Sequence, residues 1–453
     1  MERSAGFGNS KATLASNETG DLDIFSETPI EKNIIGGREI GLRPFHVPEY
    51  PSDGPLTFEI IPPAPNYYLQ LNSVRLNIVC QIRTSTRDKM GVDKNVAPIN
   101  CYGQALFKNI EIEINKQPIT ELTSYKTNYQ GPLQCILSYS QASKDTHLKS
   151  VFYYEDSPGE HETMSFKYED GKDYNQGYHE RFERTYGSRS HMIYTPIPND
   201  FFQTDKLLHP SCELLIRCYR TSGEFLLMTP EDEDYEIQFC RASLFANYVI
   251  VNENLVKKHQ AFFQKKPLTY PIIRTVVREV YMTDGEQSRY FSNVFNGIIP
   301  KSIVMVMVED AAATGSYKKN PFNFQHFKQK EVYLKVAGEI IPGDTYKPHF
   351  HTPYDMYERD YIDSLRNIGF DMSDDHSNGI TREKYLNGYY FRAFDLTGHK
   401  CNLLCKHGVT SGQVDIYQEF SERLDRNIQI ILYASYNASV YIFADKTVKV
   451  ALD

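Results

Sequence analysis

The sequence predicts an all-β chain built as two tandem sandwiches, and three observations carry that expectation. Apolar and polar residues alternate with a period of two in most hydrophobic segments, the pattern of a sheet with one face in a core and one toward water. The aromatic residues are 33 Tyr and 26 Phe with no Trp, punctuated by 23 Pro and 26 Gly. Tyrosine suits half-buried strands, where its ring packs and its hydroxyl stays wet. Finally, one strand pattern recurs in the second half at a constant offset of 222 residues.

Taken in order, residues 1–38 are polar, aperiodic and rich in Gly, Ser, Thr and Asn, and read as a flexible arm that orders only against a partner. Leu56–Ile60, Leu69–Leu71 and Val74–Ile82 alternate as strands, and Ile110–Ile114 sets isoleucines on one face against glutamates on the other. Tyr102–Lys108 and Thr127–Ser138 read as short helices. The first half, residues 39–252, closes with strands at Leu214–Cys218 and Arg241–Val251. Residues 253–268 break the pattern with charge and a proline, and read as a linker. In the second half, residues 269–453, Ile272–Met282 is strand-like. The continuous apolar run Ile303–Val308 suits a strand buried on both faces. Three further strands follow at Gln413–Tyr417, Ile428–Tyr433 and Val440–Phe443.

The repeat aligns Ile110, Ile112, Ile114 and Ile119 with Val332, Leu334, Val336 and Ile341. Each copy follows a short aromatic, helix-like stretch, at Leu106–Lys108 and Phe324–Lys328, and each precedes a long Tyr-rich connection. Two copies of one β domain, each with about eight strands, fit 453 residues. The expected fold is therefore a pair of eight-stranded jelly rolls with short helices in the loops. Jelly rolls serve capsids, lectins and cupins alike, so fold alone leaves three classes of function open.

Charge narrows the choice. The chain carries a net −9, and its first 32 residues sum to −3: Arg3, Lys11 and Lys32 stand against Glu2, Glu18, Asp21, Asp23, Glu27 and Glu31. Strong direct binding of nucleic acid is not expected from such a field. No run of 18 apolar residues suggests a membrane span, and the N-terminal residues lack the apolar core of a signal peptide, which points to synthesis in the cytosol. The eight cysteines are scattered, several in apolar runs such as Val79-Cys80 and Phe239-Cys240, and read as small buried hydrophobes. Two sequons, at Asn17 and Asn437, carry no weight without secretion.

The motifs that suggest chemistry each fall short. Gly343, His349, His351 and Glu358 echo the first cupin motif, and two histidines at i and i+2 of a strand share a face that a metal can use. The glutamate spacing is wrong, however, and Pro348 and Pro353 flank the pair, as in a loop. His399, Cys401, Cys405 and His407 offer four zinc ligands, but not as the two separated pairs that structural zinc sites use. The acidic groups Glu231–Asp234 and Asp371, Asp374 and Asp375 lack the glycine and terminal glutamate of a calcium loop and read as solvated. Gly6–Lys11 lacks the spacing and context of a phosphate loop. No catalytic, cofactor-binding or metal residue is assigned.

A resemblance then separates the classes. Ile303–Val308, Glu309-Asp310, Gly315-Ser316, Asn320–Phe324, Val332–Val336, Ile341-Pro342 and Tyr346–Pro348 resemble the double jelly-roll major capsid proteins of Polintons (Mavericks) and adintoviruses. In the first half Asn100–Gly103, Phe107–Ile114 and Tyr129–Gly131 are similar, so that the likeness spans roughly residues 40–450; Asn320–Phe324 is its most specific piece. It implies a non-enzymatic shell subunit in the virion, a homotrimer of pseudo-hexagonal outline that tiles an icosahedral shell around double-stranded DNA. Its partners would be neighbouring capsomers, a single jelly-roll penton protein and minor or cement capsid proteins. Phe350, Tyr354, Tyr357 and Tyr361 would serve lateral contacts or pack back onto their own domain. A bicupin-like metal-binding enzyme and a lectin-like β-sandwich are the alternatives.

Overall fold

Alternation in the sequence becomes two-faced strands in the computed structural model, which describes residues 32–120, 126–350 (without 166, 169 and 171), 355–370, 377–397 and 410–452. The strands before residue 252 are β1 (Ile34–Leu42), β2 (Leu56–Ile60), β3 (Tyr67–Gln70), β4 (Arg75–Thr84), β5 (Ala97–Pro98) and β6 (Phe107–Ile114). They continue with β7 (Gln117–Pro118), β8 (His191–Pro196), β9 (Leu207–Leu208), β10 (Leu214–Arg220), β11 (Leu227–Met228) and β12 (Tyr235–Val251). After residue 267 come β13 (Leu268–Met282), β14 (Ser288–Ile298), β15 (Ser302–Glu309), β16 (Gln329–Val336) and β17 (Glu339–Tyr346). The last four are β18 (Arg392–Asp395), β19 (Ser411–Phe420), β20 (Ile428–Ile442) and β21 (Val448–Leu452).

The helices are short. They are α1 (Tyr102–Ala105), α2 (Thr127–Ser138), α3 (Gln141–Asp145), α4 (Gln176–Thr185) and α5 (Gly223–Leu226) in the first half. Then follow α6 (Glu253–Phe263), α7 (Asp310–Thr314), α8 (Glu358–Asn367) and α9 (Arg382–Leu386).

Each half stacks two open antiparallel sheets. In the first, the sheet β2-β10-β6-β7 faces β8-β4-β12, with β1 and β3 also on β12; the Phe107 and Phe239 rings meet between the layers, 6.2 Å apart. In the second, β14-β19-β16-β17 faces β13-β20-β15-β18, and Gln418 Nε2 donates across the gap to the sulfurs of Met305 and Met307 at 3.1 and 3.4 Å. The repeated strand is β6 in one half and β16 in the other, third in two sheets of matching order. The hairpins that follow also match. Asn115 and Lys116 (φ 51° and 67°) are both left-handed, and so, 222 positions on, are Ala337 and Gly338 (φ 48° and 97°). Two such residues make the tight turn whose twist suits antiparallel strands. Register explains the polar face too: Arg217 of β10 lies opposite Glu111 and pairs with Glu111 and Glu113 at 3.1 and 2.5 Å.

Several expectations are corrected. Ile428–Tyr433 and Val440–Phe443, read as separate strands, form one strand, β20. The small polar residues between them lie opposite β13, which pairs with β20 from Met282↔Ile428 to Leu268↔Ile442. Phe324–Lys328 is no helix; Phe327 and Lys328 take left-handed turns (φ 46° and 56°). Most of the segment read as a linker is α6, whose N-terminus is capped by Asn252 accepting the Asn254 N–H at 2.9 Å. Ile34–Arg38, read as arm, begins β1 and pairs with β12. Cys240, read as buried, is exposed. It is the extra residue of a bulge in β12 between Phe239↔Cys80 and Arg241↔Val79, which leaves it outward and shifts the pairing by one residue, so that the buried positions pass from Tyr235, Ile237 and Phe239 to Ala242, Leu244 and Ala246.

Candidate functional site

Two of the segments that the sequence singled out, Asn320–Phe324 and Glu231–Asp234, lie at the seam between the two sandwiches. After α7 the chain turns at Gly315 (φ 120°), pressed against Glu224 and Phe225 of the first half. Tyr317 follows. Its hydroxyl donates to the Tyr235 carbonyl at 2.9 Å and accepts the Tyr235 N–H at 3.0 Å, while its own carbonyl accepts the Thr229 N–H at 2.9 Å. Lys318 pairs with Asp232, and Lys319 with Glu162 and Glu309, each at 3.0 Å.

Asn320–Phe324 then crosses into the first half. Asn320 is fully buried, and its Nδ2 donates to Asp156 Oδ2 and to the His161 carbonyl, each at 3.1 Å. Its Oδ1 accepts the Phe322 N–H at 2.9 Å, which fixes the turn that sends Phe322 inward. Phe322, 2 % exposed, packs edge-on against Tyr129 and Phe225 of the first half, with ring centres 5.9 and 6.1 Å away. Phe324 bonds through its backbone to Gly388 and Tyr390 instead, joining two loops of its own half.

Asp156 is the hub. It is 2 % exposed. One oxygen takes Arg181 at 2.6 Å and Asn175 at 2.9 Å, the other takes Asn320, and the Asp156 carbonyl accepts the Tyr389 hydroxyl at 2.8 Å. Arg181 is itself fully buried and also donates to the Pro98 carbonyl at 2.7 Å. A buried charge pair is tolerable only when nearly every donor and acceptor is filled. Here residues of both halves fill them.

Beside the hub lies His161, 1 % exposed, its ring 4.7 Å from that of Tyr389. Neither ring nitrogen has a hydrogen-bond partner among the described residues, and burial pushes the imidazole down to about 4. A second tie covers the open edge of the other sandwich, where Asp200 accepts the Thr275 N–H of β13 at 2.6 Å and Gln130 at 2.7 Å. Burial raises this carboxyl to about 6. A third is Lys144, which donates to the Ile136 and Asn378 carbonyls at 2.6 and 2.5 Å; burial lowers its ammonium to about 8.

These placements settle several of the candidate motifs. Glu231 and Glu233 hold Lys94 at 2.9 and 2.7 Å and accept the Tyr235 hydroxyl, while Asp232 reaches across to Lys318. That group is a largely exposed loop, as read from the sequence, and its ion pair from Asp232 to Lys318 also reaches across the seam. His349 is exposed and bonds through its backbone to Met356, and Glu358 pairs with Arg382 at 2.8 Å. His351, His399, Cys401, Cys405, His407, Asp371, Asp374 and Asp375 lie outside the described residues. Among the described residues no three His, Cys, Asp or Glu side chains converge as a metal site, and no helix is long and apolar enough to cross a membrane. Phe350 and Tyr357 pack back onto their own half. The Phe350 ring stacks on His326 at 4.1 Å and on Tyr357 at 5.4 Å, and the Tyr361 hydroxyl donates to the Ile380 carbonyl at 2.7 Å. Tyr354 lies outside the described residues.

Sequence reasoning singled out Asn320–Phe324 but missed Asp156, Arg181, Tyr317 and Asp200. Arg181 sits in the strongly polar stretch Gln176–Thr185, where nothing marks one arginine as buried. A lone Asp or Tyr carries no spacing signal at all.

With this geometry in view, likeness to known proteins is informative. No family model matches the chain. Among curated proteins, "Uncharacterized protein F54H12.2" of Caenorhabditis elegans is 22 % identical over 305 residues, covering 66 % of this chain and 68 % of that one. Among solved structures, a chain of the Sputnik virophage, determined by cryo-EM, superposes with a TM-score of 0.62 at 11 % identity over 97 % of this chain and 93 % of that one. The PBCV-1 virus capsid gives 0.56 at 9 % identity over 94 % and 98 %. The Faustovirus major capsid protein gives 0.54 at 10 % over 93 % and 92 %. These neighbours are viral double jelly-roll capsid proteins. The fold is a double jelly roll. Its sheets are stacked and open, not closed into barrels.

Proposed function

We propose that this chain is the major capsid protein of a double-stranded DNA virus or mobile element of the Polinton or adintovirus type. The observation that supports the reading most is end-to-end agreement with the Sputnik chain, at 97 % and 93 % coverage, in a fold of two joined jelly rolls. A relative in a nematode fits an element carried in an animal genome. The first jelly roll would be residues 39–252 and the second 269–453, with 253–268 between them. Three chains would form a pseudo-hexagonal capsomer, and capsomers would tile an icosahedral shell with a single jelly-roll penton protein at the vertices and minor or cement proteins beneath. In that setting the seam would keep two sandwiches in one orientation, so that three chains present six similar edges. The chain would act in the virion shell, without enzymatic activity or a cofactor.

Light scattering on the purified full chain, with negative-stain images of the same peak, tests this. A trimer of six-sided outline is the expected result. A monomer or dimer that never assembles, and that binds sugar or metal, would replace it with the lectin-like or bicupin-like reading.

A further inference from the structure

Beside α6 lies a cleft of about 500 Å³ with walls from four parts of the chain, among them Tyr68, His209, Phe262 and Tyr270. Its lining is mainly apolar, and Phe262 is 65 % exposed there. The charged residues that line it are Lys206 and Lys266, and among the described residues no carboxylate does. Lys257, Lys258 and Lys265 on or beside α6 extend the positive field. His209 Nε2 is buried without a hydrogen-bond partner among the described residues.

Asn33 and Ile34 line the same cleft. The segment that leads into them is its chemical complement. Residues 18–31 carry Glu18, Asp21, Asp23, Glu27 and Glu31, no lysine or arginine, and the apolar residues Leu22, Ile24, Phe25 and Ile30. Acid and apolar side chains alternate on one partner, and an apolar floor has a basic rim on the other.

We propose that residues 22–30 dock in the cleft of their own chain, with Ile24 and Phe25 on its apolar floor and the neighbouring carboxylates toward Lys206 and Lys266. Because Asn33 sits on the rim, the segment is tethered within a few residues of its site. A short tether of this kind supplies an effective concentration in the ~mM range, enough for a modest contact to persist. The arm would then order against its own body without waiting for a partner. This inference is independent of the capsid reading, since the cleft needs no second chain.

Two experiments on the full chain test it. In a Cys240→Ser background, Phe25→Cys with Phe262→Cys under mild oxidation should give an intrachain disulfide, identified by peptide mapping. Absence of the bond would overturn docking, and a bond between chains would assign the cleft to a second copy instead. Hydrogen exchange of Ile24→Asp with Phe25→Asp should show α6 amides exchanging about tenfold faster than in the parent. These substitutions precede β1 in the sequence, so unchanged exchange would overturn the proposal without ambiguity from misfolding.

Discussion

At the scale of single residues, Asp156 illustrates how a charge can be both costly and required. It offers two carboxylate oxygens to Arg181, Asn175 and Asn320, two donors from α4 and its N-cap and one from the second half of the chain. Asp156→Ala leaves the fully buried Arg181 guanidinium without its counter-charge. Loss of one member of a buried pair costs about 3–5 kcal/mol, so the melting temperature should fall by several degrees, read by calorimetry. An unchanged melting temperature would mean that water reaches the hub. Gly388 shows the same economy of space. It has a φ of 96°, and a Cβ there would come within 2.1 Å of the His161 ring, so the glycine is set by both conformation and packing.

At the scale of elements, the two matched hairpins carry the clearest lesson. The sequence repeat aligned four apolar positions, and the structure adds left-handed turns at the same offset, Asn115-Lys116 and Ala337-Gly338. Ala337→Val places a β-branched residue where φ is 48° and should destabilise the hairpin by about 1–2 kcal/mol, measurable as a lower urea midpoint. If Val is tolerated there, that turn does not keep its left-handed geometry. Strand positions such as Ile110–Ile114 were legible because burial on one face writes a period of two into the sequence. The continuity of β20 was not. Ala434–Ser439 lacks large aliphatic residues, and its strand conformation comes from β13 alongside. The helix α6 was missed because it buries little beyond Val256, so no apolar stripe announced it.

At the scale of the whole molecule, buried titratable groups couple stability to pH. Burial lowers His161, His191 and His209 each to about 4, from an ordinary 6.5. The unfolded chain therefore takes up protons first as pH falls. Stability from these groups is complete above pH 6.5 and is lost as pH drops toward 4, by up to about 1.4 kcal/mol per pH unit for each histidine. Asp200 opposes them. Its carboxyl is raised to about 6 from 3.8, so the folded state takes up that proton first and gains stability over the same fall in pH. Three against one, the melting temperature should hold steady near pH 7–8 and decline between pH 6.5 and 4. A flat profile through that range would show that the histidines are not buried in the neutral form.

The sequence alone determined the class of fold, the duplication and most strands, because alternation, turn chemistry and repetition are local properties written residue by residue. It also flagged Asn320–Phe324. Only the tertiary structure decided why that segment matters: Asn320 finds Asp156, 164 positions away, and Phe322 finds Tyr129 and Phe225. Only there, too, did the acidic run Glu231–Asp234 become a set of ties to Lys94 and Lys318. A strand's period follows from its own neighbours in the chain, but the partner of a buried charge is set by where two distant segments come to lie. No spacing within either segment records that meeting.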